Sequence, residues 1–265
     1  MEKVRLWREK IERRLREVFR AEGPAVLVEA MSYYLFQEGK RIRPLLTVAV
    51  TDSLGGDPED AITVGCVIEM VHNYSLIHDD LPAMDDDDFR RGLPTCHRKF
   101  GEAVAILAGD ALLTYAFEVL LDPSNFRSLS ADRLLRIART LAVKAGSSGL
   151  VVGQVLDVRG ESDPVEVDMK KTGALFEACF LCGGILSGRD DLLGDLEEAG
   201  RLTGLLFQVT DDILDRDGVY EVFGERGSRE EAERLYRKAV AKVSHLLGKN
   251  SEVLSIIDRI YSRIT

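Results

Sequence analysis

Two runs of aspartate carry the most chemistry in this 265-residue chain. Six of the ten residues from Asp79 to Asp88 are Asp, and Asp211, Asp212 and Asp215 form a second cluster far downstream. In the second cluster, Leu202, Leu205, Leu206, Val209 and Ile213 follow the spacing of one helical stripe. Gln208, Asp211, Asp212 and Asp215 follow the spacing of another. Three carboxylates thus gather near the C-terminal end of an apolar helix. The helix dipole disfavours negative charge there, and like charges at i, i+4 repel. A solvated acidic face is the ordinary explanation of a charge run, but it fits poorly with Leu202–Val209, where Gln208 and Thr203 are the only polar side chains. A bound divalent cation removes the penalty. Oxygen donors without His or Cys suit Mg²⁺ or Ca²⁺ and not zinc.

The first cluster repeats the pattern. Val64, Val67, Ile68 and Val71 mark the apolar side of a helix that ends in Asp79 and Asp80, and His72, Ser75 and Asp79 share another face at i, i+3, i+7. Pro82 bends or stops this helix. Asp85 to Asp88 follow, and then Arg90 and Arg91. Mg²⁺ uses few protein carboxylates and completes its shell with water and substrate phosphates. The acids therefore point to a phosphorylated ligand only in combination with cations. Lys40, Arg41 and Arg43 open one apolar segment, Arg90 and Arg91 close the first acid run, and Lys170-Lys171-Thr172 opens another apolar segment. Guanidinium forks match phosphate oxygens.

The elements that must hold these groups read as helices throughout. Helical periodicity predicts segments near 2–20, 24–37, 43–54, 58–80, 101–121, 131–145, 147–159, 165–187, 192–215, 229–247 and 251–263. Gly55-Gly56-Asp57-Pro58, Gly92-Leu93-Pro94, Asp122-Pro123 and Asp163-Pro164 separate them. No Gly/Ser-rich or Pro-rich linker divides the chain. The expectation is a single all-α domain over 1–265, an antiparallel helix bundle. Apolar residues make up 45% of the chain, enough for a large core. The net charge of −10 argues against a nucleic-acid partner. The four cysteines, including the Cys179/Cys182 pair, read as core residues of a reducing compartment. The chain shows no signal-peptide pattern and no transmembrane segment, so a cytoplasmic location is expected. The basic residues of the first helix read as a solvated face.

On these motifs the chain resembles the trans-type short-chain prenyl diphosphate synthases, closest to the bacterial farnesyl diphosphate synthase branch. Asp79-Asp80-Leu-Pro-Ala-Met-Asp85 through Gly92 resembles that family's first aspartate-rich motif, and Asp211-Asp212-Ile-Leu-Asp215 its second. Gly39-Lys40-Arg41-Ile42-Arg43-Pro44, Gly153-Gln154-x-x-Asp157, Lys171-Thr172-Gly173 and Phe207-Gln208 also match, in order, over roughly residues 25 to 215. The resemblance implies an isoprenoid-synthase-type bundle around a deep apolar cavity, commonly a homodimer. It implies Mg²⁺ held by Asp79, Asp85 and Asp211, with Asp80 and Asp215 supporting. Arg90 would clamp the dimethylallyl or geranyl diphosphate. Lys40, Arg43, His72 and Arg91 would bind isopentenyl diphosphate. Lys171, Thr172 and Gln208 would turn dipoles towards the allylic cation. His78 and His97 fall in family-like positions and are given structural roles. Tyr74 and Ser75, five and four residues before Asp79, would set chain length. An aromatic residue there, with the two-residue insertion between the acids, implies a fifteen-carbon product.

The chain departs from the family after Asp215. A lysine-bearing loop is expected there, and Arg216 is the only cation before Gly224. Omission of a mobile lid from the sequence is the favoured explanation, and a chain that lacks the lid is the other. The competing functions are a geranylgeranyl diphosphate synthase, a class I terpene cyclase, which would not need the second diphosphate site, and a non-catalytic synthase subunit.

Overall fold

The computed structural model describes residues 2–160, 167 and 169–265. Its helices are α1 (Glu2–Val18), α2 (Ala25–Leu35), α3 (Ile42–Ser53), α4 (Pro58–Asp79), α5 (Cys96–Phe100), α6 (Glu102–Leu121), α7 (Ala131–Ala145) and α8 (Leu150–Arg159). A π-helical turn, Met169–Gly173, leads into α9 (Ala174–Leu186), followed by α10 (Leu193–Asp215), α11 (Val219–Leu247) and α12 (Glu252–Tyr261). A two-residue antiparallel hairpin, Phe89–Arg90 with Leu93–Pro94, is the one sheet among the described residues. It is too short for an alternation of apolar and polar residues to reveal.

The bundle is built around α4. Asp57 caps this helix by accepting from the Glu59 amide at 2.9 Å, and Pro58 occupies its first turn, where a missing N–H costs nothing. Most of its length is buried, and α1, α2, α3, α6 and α9 all pack on it. Two glycines permit the closest approaches. A Cβ on Gly65 would stand 2.9 Å from the Pro44 Cα of α3, and one on Gly109 of α6 would strike the His78 ring at 2.1 Å. Helix α6 is apolar and long enough by composition to cross a membrane, but it is one of the helices laid on α4, with Ala105, Ala108, Leu112 and Ala116 fully buried. Cys66, Cys96, Cys179 and Cys182 are all buried, unpaired thiols, as the core reading requires.

The C-terminal half corrects three expectations. The backbone runs directly from Asp215 through Arg216, Asp217 and Gly218 into α11, so no lid segment is omitted and the connection is short. Helix α11 begins at Val219, ten residues before the predicted start. Gly224 interrupts it with φ 67°, ψ 175°, and this kink within a polar, Gly-containing stretch hides the helix from periodicity. Helix α8 begins at Leu150, not Ser147, and α9 proper at Ala174. The predicted break at Asp163-Pro164 and helix start at Val165 lie outside the described residues.

Candidate active site

Helix α4 ends at Asp79, and the chain then folds back on itself. The Asp85 amide donates to the Asp79 carbonyl at 2.9 Å, and the Asp86 amide to the Leu81 carbonyl at 3.1 Å with Asp86 in the left-handed region. This reversal brings Asp85 beside Asp79. Burial raises the Asp79 pKa to about 6, with the Asp85 charge adding to the rise and Lys171 opposing it. Burial raises that of Asp85 as well. Lys171 Nζ stands 2.7 Å from Asp157, 3.4 Å from Asp79 and 3.8 Å from Asp85. Burial disfavours its ammonium, but the surrounding carboxylates outweigh this and its pKa is raised. Three carboxylates thus share one protein cation.

Asp80 plays another part. It is fully buried, takes bonds from Arg90 Nε at 2.8 and 2.9 Å and from Arg90 Nη2, and accepts from the Tyr34 hydroxyl. Tyr34 in turn accepts from the Cys96 amide at 2.8 Å. The carboxylate of Asp80, expected among the metal-supporting acids, is engaged here by Arg90 and Tyr34. It orients Arg90.

The second cluster shows the same division. Asp211 is ion-paired with Arg263, beyond the end of α12. Asp212 is buried and accepts from Gln208 Nε2 at 2.8 Å and from the Val219 amide at 2.9 Å. Asp215 is exposed at the end of α10, and with Asp211 it favours the Lys40 ammonium, whose pKa is lowered chiefly by burial and by Arg263. Gln208 Oε1 accepts from Thr172 Oγ1 at 2.8 Å. Successive residues of the π turn therefore serve both clusters: Lys171 reaches Asp79, Asp85 and Asp157, and Thr172 reaches the helix that carries Asp211.

A third group is basic. Burial lowers the Arg43 pKa. Its Nε is buried without a partner, and its guanidinium lies 5.0 Å from the Phe176 ring. Arg91 sits at φ 54°, and its pKa is lowered by burial and by its neighbours Arg41 and Arg90. His72 is held well below its usual pKa by burial, then by Arg43 and Arg91. Burial and mutual repulsion thus penalise the protonated forms of three bases in one group, a penalty that a nearby anion would relieve. Lys40 and Arg91 open onto a cavity of about 520 Å³ that Arg8, Arg259 and Arg263 also line. Arg41, which carried no sequence assignment, braces this group. It is buried at φ 51° and donates to Glu12 at 2.7 Å, Glu69 at 2.8 Å, and the Leu35 and Gln37 carbonyls at 2.8 and 3.0 Å.

Between α4 and α8 lies a second cavity of about 420 Å³. Asp79, Lys171 and Thr172 are at its polar side, and Leu76, Leu150, Val155 and Leu175 supply apolar wall. Tyr74 and Ser75 both line it, although ideal spacing puts Tyr74 off the Asp79 face. The Tyr74 ring meets His78 edge to face at 5.9 Å. His78 reaches the Ile106 carbonyl at 3.0 Å and His97 pairs with Thr95 at 3.2 Å, contacts suited to structural roles.

Sequence reasoning missed Arg263 and Tyr34, and it did not separate the task of Asp212 from that of its neighbours in the cluster. Arg263 lies outside every quoted motif, at the end of the last predicted helix, and Tyr34 acts through a neighbour that only the fold supplies. Asp157 stood within a quoted motif without a role. No three His, Cys, Asp or Glu side chains among the described residues form a ready-made metal nest. The donor set nevertheless fits Mg²⁺. It is all carboxylate, Asp79 is a partly buried acid whose raised pKa marks a shortage of countercharge, and this ion takes few protein ligands when a diphosphate supplies others.

An all-helical frame carrying two acid clusters, a basic anion site and an apolar cavity defines the class: synthases that act on apolar diphosphates. Residues 24–251 match the polyprenyl synthetase family model. The chain is 46% identical over 216 residues to a farnesyl diphosphate synthase of Geobacillus stearothermophilus, covering 79% of this chain and 72% of that protein. It is 41% identical to the large subunit 1 of a chloroplastic heterodimeric geranylgeranyl pyrophosphate synthase of Arabidopsis thaliana, covering 86% and 69%. A geranyltransferase structure from Legionella pneumophila superposes with a TM-score of 0.89 at 33% identity, covering 99% of this chain and 96% of that one. The chain belongs to the polyprenyl synthetase family and is a prenyltransferase of isoprenoid biosynthesis.

Proposed function

We propose that this chain, as one domain over residues 1–265, condenses isopentenyl diphosphate with dimethylallyl and geranyl diphosphate to give farnesyl diphosphate. The observation that carries this reading is the π turn, where Lys171 and Thr172 tie both acid clusters to one end of an apolar cavity. Asp79, Asp85 and Asp211 would hold Mg²⁺, which supplies Lewis acidity towards the leaving diphosphate. Arg90, oriented by Asp80, binds that diphosphate. The allylic C–O bond breaks with its electron pair leaving on the diphosphate, and the alkene of isopentenyl diphosphate forms the new C–C bond. The departing diphosphate takes the proton. Lys40, Arg43, His72 and Arg91 hold the second diphosphate, with His72 as a neutral donor. Lys171, Thr172 and Gln208 face the developing cation.

Tyr74 in the cavity wall supports a fifteen-carbon limit. A homodimer through α6 is part of the reading, supported by Ile106, Leu107 and Leu121, which leave apolar surface exposed along that helix. A cytoplasmic setting is supported by four free thiols. The short α10–α11 connection favours one alternative, a non-catalytic subunit that binds another synthase without condensing substrates. Incubation with Mg²⁺, isopentenyl diphosphate and geranyl diphosphate, followed by chromatography of the dephosphorylated products, separates the readings. Farnesol from the wild type and longer alcohols from Tyr74→Ala are expected. No condensation with any allylic primer would overturn the enzyme reading, and unchanged chain length in Tyr74→Ala would overturn the role of that ring.

A further inference from the structure

Asp212 is the one member of the second acid cluster for which the reading above supplies no task, yet it is the most buried of the three. We infer that Asp212 is a positioning residue that sets the direction of a hydrogen-bond relay, Asp212–Gln208–Thr172, so that Thr172 presents oxygen lone pairs to the cavity. The inference rests on the proposed prenyl transfer and assigns a role within it.

The direction follows from donor and acceptor chemistry. The Val219 amide, the first of α11, can only donate, and it donates to Asp212 Oδ2 at 2.9 Å. The second oxygen of an ionised carboxylate can only accept, so the side of Gln208 that faces it must be the NH₂ group, as the 2.8 Å Nε2 contact has it. Gln208 Oε1 is thereby turned to Thr172 and must accept, which uses the hydroxyl proton of Thr172 in the 2.8 Å bond. Thr172 lines the cavity, and what its oxygen has left to offer there is acceptor capacity. Reversing the relay would turn an O–H towards the same space. A partial negative charge at that wall stabilises an allylic cation, and a partial positive charge opposes it. The Asp212 carboxylate is itself locked in place. The Asp217 amide donates to the Asp212 carbonyl at 3.2 Å, and a Cβ on Gly218 would stand 2.5 Å from Asp212 Oδ2. The tight turn between α10 and α11 is thus built around this carboxylate.

The substitution Asp212→Asn reverses the relay by the same logic. Its Oδ1 must still accept from Val219, so its NH₂ group faces Gln208, the Gln208 amide turns over, and Thr172 becomes the acceptor within the relay. D212N is expected to lower kcat by about tenfold to a hundredfold, the scale of a misdirected dipole at a developing charge, while KM for both diphosphates changes less than about threefold. The double variant D212N/Q208E moves the carboxylate one place along the relay, where it accepts both from the amide introduced at position 212 and from Thr172. It is expected to recover at least about tenfold of the lost kcat. Q208E alone, which sets two carboxylates face to face, should also be slow and should be rescued by D212N. That comparison holds even if D212N is poorly folded. Thermal melts of all four proteins accompany the kinetics. Wild-type kcat in D212N, or a double variant no faster than either single one, would overturn the relay. Failure of the wild type to condense substrates would instead overturn the functional reading on which it rests.

Discussion

At the scale of single residues, each acid pair divides its labour. Asp79 and Asp211 face the site, whereas Asp80 and Asp212 are buried and spend their oxygens on neighbours. This separates two adjacent arginines. Arg90 compensates the fully buried Asp80, so Arg90→Ala should destabilise the fold by about 3 kcal/mol as well as impair catalysis. Among the described residues Arg91 makes only a long 3.5 Å hydrogen bond, to the Glu38 carbonyl, and Arg91→Ala should slow turnover at low isopentenyl diphosphate with little loss of stability. Urea titration of both variants checks this, and equal stability losses would contradict it. A pH dependence follows from Asp79. Its pKa of about 6 lies above its ordinary 3.8, so between these values the folded state holds the extra proton. The stability this confers is lost as pH rises through 6, leaving a charged carboxylate that a cation can neutralise. Mg²⁺ must displace that proton, so its affinity in the presence of pyrophosphate should rise about tenfold per pH unit from 5 towards 6 and level off near 7. His72 shifts the other way. It stays neutral in the folded state as pH falls below its ordinary value, so its contribution to stability is present above that value and is lost progressively as pH falls from there through its lowered pKa.

At the scale of elements, the site depends on how closely α8 approaches the π turn. A Cβ on Gly153 would stand 2.1 Å from the Lys171 amide nitrogen and 2.5 Å from its Cα, both backbone atoms that cannot turn aside. Gly153→Ala should therefore push Lys171 from Asp79, cost about 1–3 kcal/mol of stability and lower kcat by tenfold or more. Melting and steady-state kinetics read both effects, and a variant with wild-type values would show that this contact positions nothing. Such features explain what could be read before the fold was in view. The helices carrying the acid clusters were legible because the apolar and acidic stripes of α4 and α10 follow strict spacing to a C-terminal end. The start of α11 was not, because Gly224 breaks the period and polar residues surround it. Asp79, Asp85 and Asp211 were legible as acids in the wrong place. Asp80, Asp212 and Arg41 were not separable from them, because their tasks are defined by Tyr34, Val219 and Glu69, which only packing brings near. Arg263 had no local signal at all.

At the scale of the whole molecule, the bundle links two distant acid clusters through one π turn, whose Lys171 reaches Asp79 and whose Thr172 reaches Gln208 on the helix of Asp211. Each cluster is met by a protein cation, Lys171 at the first and Arg263 at the second. In the proposed reading, the basic group around Arg43 and Arg91 would take a second diphosphate. The central claim is that these are halves of one metal–diphosphate site. It is tested most directly by calorimetric titration of the protein with a thiolodiphosphate analogue of geranyl diphosphate in the presence of Mg²⁺, for the wild type, Asp79→Asn and Asp211→Asn. Mg²⁺-dependent binding to the wild type is expected, and either substitution should weaken it by about tenfold or more, the loss of one charged ligand. Binding that is unchanged when Asp211 is removed, while it still requires Asp79, would contradict it.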